Sequence, residues 1–373
     1  MNPSDSYPPI DLSRAIPPTP PELEEALAST ITKLALSGCI SSSLRRNRVG
    51  GTEADRAAAA KWLGRRIGHE PEAGRIIIAN GTQSLLGLLF YEILTAGEVL
   101  LAEALTYPVL CPLAKRFGVH VEPVAIDTEG ILPEALETAC RRHRPKALFC
   151  NPTVHNPTTA TMGGERRKAV VELARQYNLM IFEDDVLGSM HGNIPRPLAT
   201  IGPDIVWYIQ SLSKCVSLGL KIAYMVTPTR GDAEALVASV ANHSFWFPSA
   251  MSAEIATALV NDGAVARTAA AIAEQAHHRQ KIARKAFDGV PFAAQRGGLH
   301  IWVPLTLPRE SIDFVEAANR EGVSIRPADM FVVKGKDRDR SFHMPGVRIA
   351  LTTPDTDDLL ETGLLRLKRL LRP

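Results

Sequence analysis

The stretch Ile205-Val206-Trp207-Tyr208-Ile209-Gln210-Ser211-Leu212-Ser213-Lys214-Cys215-Val216-Ser217-Leu218-Gly219-Leu220-Lys221-Ile222 decides how this chain is read. Residues 205–209 are an apolar run and residues 222–226 are another; both read as buried strands. Between them stand Ser211, Ser213, Lys214, Gly219 and Lys221. A lysine in a short loop between two core strands is partly desolvated. Desolvation depresses its pKa, and the neutral amine can then attack a carbonyl. Lys214 is therefore a candidate Schiff-base lysine, set against the plainer reading of an exposed loop lysine.

Outward from this loop, strands and helices alternate. Apolar runs at 75–79, 99–102, 119–124, 147–150 and 179–182 are separated by helical patterns at 82–94, 107–117, 133–142 and 166–177. Such alternation predicts right-handed βαβ crossovers and a mainly parallel sheet covered on both faces. Upstream, prolines at 3, 8, 9, 17, 18, 20 and 21 predict an extended arm. A helix is expected over 21–36, and another over 53–67 with Thr52 as its cap. Beyond Val226 the pattern changes. Residues 231–288 read as helix, 299–304 as strand, 309–321 as helix, 347–351 as strand and 356–371 as helix. The division expected is an arm and helix at 1–44, a large domain at 45–265 and a smaller α+β domain at 266–373.

The totals fit a two-domain globular chain: 373 residues, 45% hydrophobic and 22% charged. A formal net charge of +2 gives no bulk electrostatic case for nucleic acid or membrane. The five cysteines (39, 111, 140, 150 and 215) have no CxxC spacing, so neither a disulfide framework nor a zinc site is expected. No secretory pattern opens the chain, and no apolar run reaches the roughly 20 residues of a membrane span. A cytoplasmic protein is expected.

Ligands in α/β sheets gather past the C-terminal ends of strands. Asn80-Gly81-Thr82-Gln83 offers a glycine before a helix start, a phosphate cradle or an ordinary capped turn. Tyr107, read at a helix start, can stack on a flat ring or simply pack. Asn151-Pro152-Thr153-Val154-His155-Asn156-Pro157-Thr158 is a stiff loop carrying amide side chains. Glu183-Asp184-Asp185 puts three carboxylates at one strand end, which need a cation, a metal or solvent; alone they suit magnesium. Cradle, tyrosine, asparagine, carboxylate and lysine, in that order on parallel strands, suit pyridoxal phosphate better than a metal.

With these pieces the sequence resembles the fold-type I pyridoxal phosphate enzymes of the class I/II aminotransferase branch. It is most similar to the aminotransferase-like domains that follow a winged helix in GntR/MocR regulators. The resemblance covers about residues 10–370. It rests on Gly81-Thr82-Gln83, Asn156-Pro157-Thr158, Glu183-Asp184-Asp185 and Ser211-Leu212-Ser213-Lys214. It implies a three-layer αβα fold with a smaller α+β domain, and pyridoxal 5'-phosphate as cofactor. Lys214 would be the Schiff-base lysine, Asp184 the partner of the ring nitrogen and Tyr107 the stacking ring. Asn156 would donate to the phenolic oxygen. Gly81, Thr82, Gln83, Ser211 and Ser213 would hold the phosphate, and Arg348 the substrate α-carboxylate. Gly297 and Gly298 match the family's entry into a small-domain strand. No metal ligand is implied.

Four positions depart from the family pattern. Leu187 stands where a tyrosine is usual, Lys221 where an arginine is usual, and Thr159 where the asparagine-proline motif has a glycine. Arg46 stands where the partner subunit's phosphate usually receives a tyrosine. The expected activity is amino-group transfer between an amino acid and a 2-oxo acid, in a homodimer without nucleic acid or membrane partners. The alternatives are a lyase, decarboxylase or racemase, motivated by Leu187, and a cofactor-binding sensor. The chain starts at the arm with no winged helix before it, which argues against the sensor. His155, Phe245, Trp246, Phe247 and Met330 are candidates for the side-chain pocket. Arg45 and Arg48 are offered as attractors of an acidic substrate. His277 and His278 read as surface or inter-helix residues.

Overall fold

Seven strands hydrogen-bond side by side in the order Ile76–Ala79, Ala223–Val226, Val206–Ser211, Met180–Asp184, Ala147–Cys150, Val99–Glu103, His120–Val124. Six run parallel, and Ala223–Val226 runs antiparallel to both its neighbours. The computed structural model describes residues 9–305, 310–336 and 344–371. The expected prolines at 3 and 8, and the first residue of the helix expected over 309–321, lie outside the described residues.

Strand side chains alternate between faces, and here both faces are apolar. Ile76, Ile78, Leu101, Leu148, Ile181, Val206 and Tyr208 enter one core, with helices Glu53–Ile67, Pro133–His143 and Gly164–Gln176. Ile77, Leu100, Phe149, Phe182, Trp207 and Met225 enter the other, with helices Thr82–Glu92, Leu110–Arg116 and Arg230–Ser239. This is the expected three-layer αβα arrangement. Burial on both sides is why the strands read as unbroken apolar runs.

A third core collects Phe287, Ile301, Val303, Phe314, Val347, Ile349, Leu360 and Leu364, together with Ile10 and Leu12 from the arm. It surrounds a small sheet in which Gly346–Ala350 lies between His300–Pro304 and Arg326–Pro327. Ile10–Asp11 pairs in parallel with Val323–Ser324. Helix Ala264–Ala286 links the cores, burying Val265, Ala269 and Ile272 in the first and Ala283 and Ala286 in the third.

The continuous helix expected beyond Val226 is broken. Residues 231–288 are three helices, Arg230–Ser239, Ala250–Asn261 and Ala264–Ala286. Pro248, which has no N–H to donate, precedes the second, and Gly263 at φ +76 separates the second from the third. Among the described residues no helix is long and apolar enough to cross a membrane.

Candidate active site

The parallel strands bring their C-terminal ends to one edge of the sheet. Ala79 leads there into Asn80 and Gly81. Gly81 has φ +82, and a side chain at that position would meet nothing within 4 Å. It caps helix Thr82–Glu92, whose first N–H groups have no intrahelical partner. Ser211 and Ser213 face each other at the end of strand Val206–Ser211, one strand beyond Ala223–Val226, hydroxyl to hydroxyl at 2.7 Å. Ala223 is in register with both Ser211 and Ala79. Lys221, two residues earlier, therefore enters at the same edge; it is exposed, with φ +56. Gln83 Nε2 donates to the Tyr107 hydroxyl at 3.0 Å. Tyr107 is not at a helix start as expected. The helix begins at Leu110, and Tyr107 sits in the turn ahead of it, where the Leu110 N–H donates to its carbonyl.

The three consecutive carboxylates have separate fates, because a strand sends alternate side chains to opposite faces. Glu183 accepts from the N–H groups of Leu198 at 2.8 Å and Ala199 at 3.0 Å, and lies 3.6 Å from Arg167. Asp185 accepts from Arg66 Nε and from the Tyr208 hydroxyl, both at 2.9 Å. Asp184 points the other way. It is buried, and its Oδ1 has no hydrogen-bond partner among the described residues. Burial, with the Asp185 charge behind it, pushes its carboxyl up to about 7.

Asn151, which the sequence reading passed over, ties the next loop to this strand. Its Nδ2 donates to the Asp184 carbonyl at 2.5 Å, and its Oδ1 accepts from the Asn156 N–H at 2.8 Å. The Asn156-Pro157 bond is cis. Asn156 Oδ1 in turn accepts from Arg348 Nη1 at 2.7 Å. Thr159 has φ +62, a left-handed conformation that a β-branched residue rarely adopts, which explains why glycine is usual there. His155 is not pocket lining. Its ring nitrogens are held by Leu105 O at 3.0 Å and Thr158 Oγ1 at 2.7 Å, and burial lowers its pKa to about 4.

Lys214 and Arg348 meet under the N-terminal segment. Lys214 Nζ donates to Ala15 O at 2.5 Å, and Arg348 Nη2 to Ser13 O at 2.7 Å. Thr352 donates to Ile16 O at 2.6 Å, and Thr353 to Arg14 O. The segment is a roof pinned at four points, which the proline count alone did not reveal. Burial, then the charges of Arg348, Arg14 and Arg326, lower Lys214 to about 8, as its loop position predicts. Burial and Arg326 lower Arg348 to about 9. The Arg348 guanidinium lies 5.2 Å above the Phe331 ring, and its Nε has no partner among the described residues.

Other expected residues lie elsewhere. Arg48 is buried, bonded to Asp55 at 2.8 Å and to Glu254, so it is not free to attract substrate. Arg45 and Arg46 are exposed. Phe247 is packed in the core, while Phe245 and Met330 are exposed. Trp246 packs where a side chain on Gly87 would clash with it. Leu187 is buried among apolar neighbours. His278 bonds Asp357 of helix Asp357–Leu371 at 2.7 Å, an inter-helix role as expected.

A model of the aminotransferase class I and II family matches residues 17–361. The chain belongs to this family. Its relatives include the uncharacterised helix-turn-helix transcriptional regulator YdeF of Bacillus subtilis, 30% identical over 84% of this chain and 66% of that protein. Aromatic-amino-acid aminotransferase 1 of Thermococcus litoralis is 26% identical over 84% of this chain and 78% of the relative. The solved kynurenine aminotransferase of Pyrococcus horikoshii has a TM-score of 0.86 at 23% identity, over 98% of this chain and 91% of that one, a likeness of fold. The chain spans between 53% and 66% of the length of four regulator relatives. The cofactor of this aminotransferase family is pyridoxal 5'-phosphate. The chain's residues fit it: an open glycine cradle stands at a helix start, and a buried carboxylate oxygen awaits a donor.

Proposed function

We propose that this chain is a pyridoxal phosphate-dependent aminotransferase that moves an amino group between an amino acid and a 2-oxo acid. The observation that carries the proposal is the unpartnered, buried Asp184 Oδ1 on the same site as the depressed Lys214 amine. Pyridoxal phosphate supplies a carbonyl carbon and an electron-withdrawing ring. The chain supplies the rest. Asp184 Oδ1 would accept a hydrogen bond from the ring nitrogen, and a positive charge there would favour the ionised carboxylate. Lys214 Nζ would hold the cofactor and move the proton at the substrate α-carbon. Tyr107 would cover the ring, and Asn156 would donate to the phenolic oxygen through its amide nitrogen. The N–H groups at Thr82 and Gln83, in the cradle that Gly81 opens, with the Ser211 and Ser213 hydroxyls and Lys221, would hold the phosphate. Arg348 exchanges its bonds to Ser13 O and Asn156 Oδ1 for the α-carboxylate, which its fork matches.

The same reading divides the chain at about residues 44 and 265, and makes it a homodimer in which Arg46 reaches the neighbour's phosphate. Five free cysteines support a reducing, cytoplasmic setting. Leu187 favours a second reading. It offers no hydroxyl to the phenolic oxygen, so another reaction on the same cofactor is a competitor.

The test is the half-reaction. Cofactor-loaded protein given an amino acid should change its absorbance, release one 2-oxo acid per site and be reset by a 2-oxo acid. Lys214→Ala should slow this by roughly 10² to 10⁴-fold. Wild-type rates in that variant would remove Lys214 from the mechanism. Continuous turnover without an acceptor, giving carbon dioxide, ammonia or the other enantiomer, would favour the second reading.

A further inference from the structure

The site holds more positive charge than an α-carboxylate needs. Arg326 lies directly opposite Arg348 across the antiparallel pair Arg326–Pro327 and Gly346–Ala350. Residues so placed share one face of the sheet, with Cβ atoms about 5 Å apart, and like charges there are destabilising. Arg326 is partly buried, and its charge is felt at Lys214, Arg348 and Tyr107 alike, which sets it at the same site.

Among the described residues no carboxylate pairs with Arg326, and the hydrogen-bond partners of Arg348 are the neutral oxygens of Asn156 and Ser13. Asp184 is the acidic group felt at Lys214, against Arg348, Arg14 and Arg326. A half-buried pair of guanidiniums is stable when anions arrive to match it. The α-carboxylate supplies one and engages Arg348.

We propose that Arg326 receives a second carboxylate, at the end of the side chain of a dicarboxylic amino acid and of its 2-oxo acid. This rests on the aminotransferase reading and names its substrate class. Arg326, rather than Arg45 or Arg48, is then the residue that selects acidic substrates. It is a specificity residue, with no part in moving the proton.

The experiment follows the half-reaction of cofactor-loaded protein with aspartate, glutamate and 2-aminoadipate against alanine, leucine and phenylalanine. The acidic set should exceed the neutral set in kcat/KM by about 10- to 100-fold. Arg326→Gln should collapse that ratio towards one, Arg326→Lys should keep part of it, and Arg45→Gln should leave it intact. The absorbance of the bound cofactor reports whether each variant is folded. A wild-type preference for neutral amino acids overturns the proposal without any variant. So does an acidic preference that survives Arg326→Gln. Equal losses for both sets would put Arg326 on the α-carboxylate and overturn it too. Silence towards every amino acid would instead strike the aminotransferase reading itself.

Discussion

Lys214 and Asp184 are displaced in opposite senses by the same burial. The lysine falls from 10.5 to about 8, and the carboxyl rises from 3.8 to about 7. For Lys214 the folded value is below the unfolded one. Its contribution to stability is present above the unfolded pKa and is lost as pH falls through about 8. For Asp184 the contribution is present below the unfolded pKa and is lost as pH rises through about 7. The chemical consequence is sharper at the lysine, because only the neutral amine bonds a carbonyl carbon. The rate at which cofactor-free protein captures pyridoxal phosphate, followed by absorbance across pH, should therefore rise with a midpoint near 8. Arg348→Gln removes the largest neighbouring positive influence on Lys214 and should move that midpoint upward. A midpoint at 10 or above in the wild type would mean that the amine is solvated.

At the scale of elements, helix Glu53–Ile67 shows what local sequence can specify. Thr52 accepts from the Asp55 N–H at 3.2 Å, while Asp55 accepts from the Thr52 N–H at 2.9 Å. That reciprocal cap is legible because both partners lie within four residues. What else Asp55 does is not legible: it also accepts from Arg48 at 2.8 Å and from Thr257, 202 positions away, at 2.7 Å. Thr52→Ala should cost about 1 kcal/mol of stability, the worth of a cap. Asp55→Ala should cost about 3 kcal/mol, since it leaves a buried Arg48 with less than its share of negative charge. Denaturant midpoints would measure both, and equal losses would mean that the cap alone matters. The same division between near and far explains the other discrepancies. The sequence reading places no strand at 323–327, and only the pairing of Arg326–Pro327 with Gly346–Ala350 shows that Arg326 faces Arg348. Residues 231–288 read as helix because of alanine-rich runs such as 267–276, while two isolated breakers, Pro248 ahead of the second helix and Gly263 ahead of the third, mark where those helices begin. The order of site residues was readable because each follows its own strand; the roof over them was not, because its bonds run from Ser13–Ile16 to residues some 200 to 340 positions on.

At the scale of the molecule, the loop ahead of that helix is held tightly against the sheet, yet its arginine is left over. A side chain on Gly51, at φ +88, would come within 2.8 Å of Ile78, and the Ile78 N–H donates to Gly50 O at 3.2 Å. The backbone is fixed there by close approach, while Arg46, four residues before Gly50, is exposed and has no partner among the described residues. A fixed loop carrying an uncommitted cation suits delivery of charge to a neighbour's site, where two-fold symmetry would return the same service. The proposed homodimer can thus be tested by exchange of function between subunits. Arg46→Ala alone should weaken cofactor binding about 10-fold, one charged phosphate contact, and Lys214→Ala alone should be inactive. When the two inactive or weakened proteins are mixed and allowed to exchange subunits, one site of each mixed dimer combines an intact Lys214 with an intact Arg46 from across the interface. Its cofactor affinity should return to the wild-type value, while the other site carries both defects. Titration of the mixture with pyridoxal phosphate should then resolve a tight class of sites that neither parent shows. If mixing restores nothing although sedimentation shows mixed dimers, Arg46 acts within its own subunit; if sedimentation shows a cofactor-loaded monomer, the shared site is excluded.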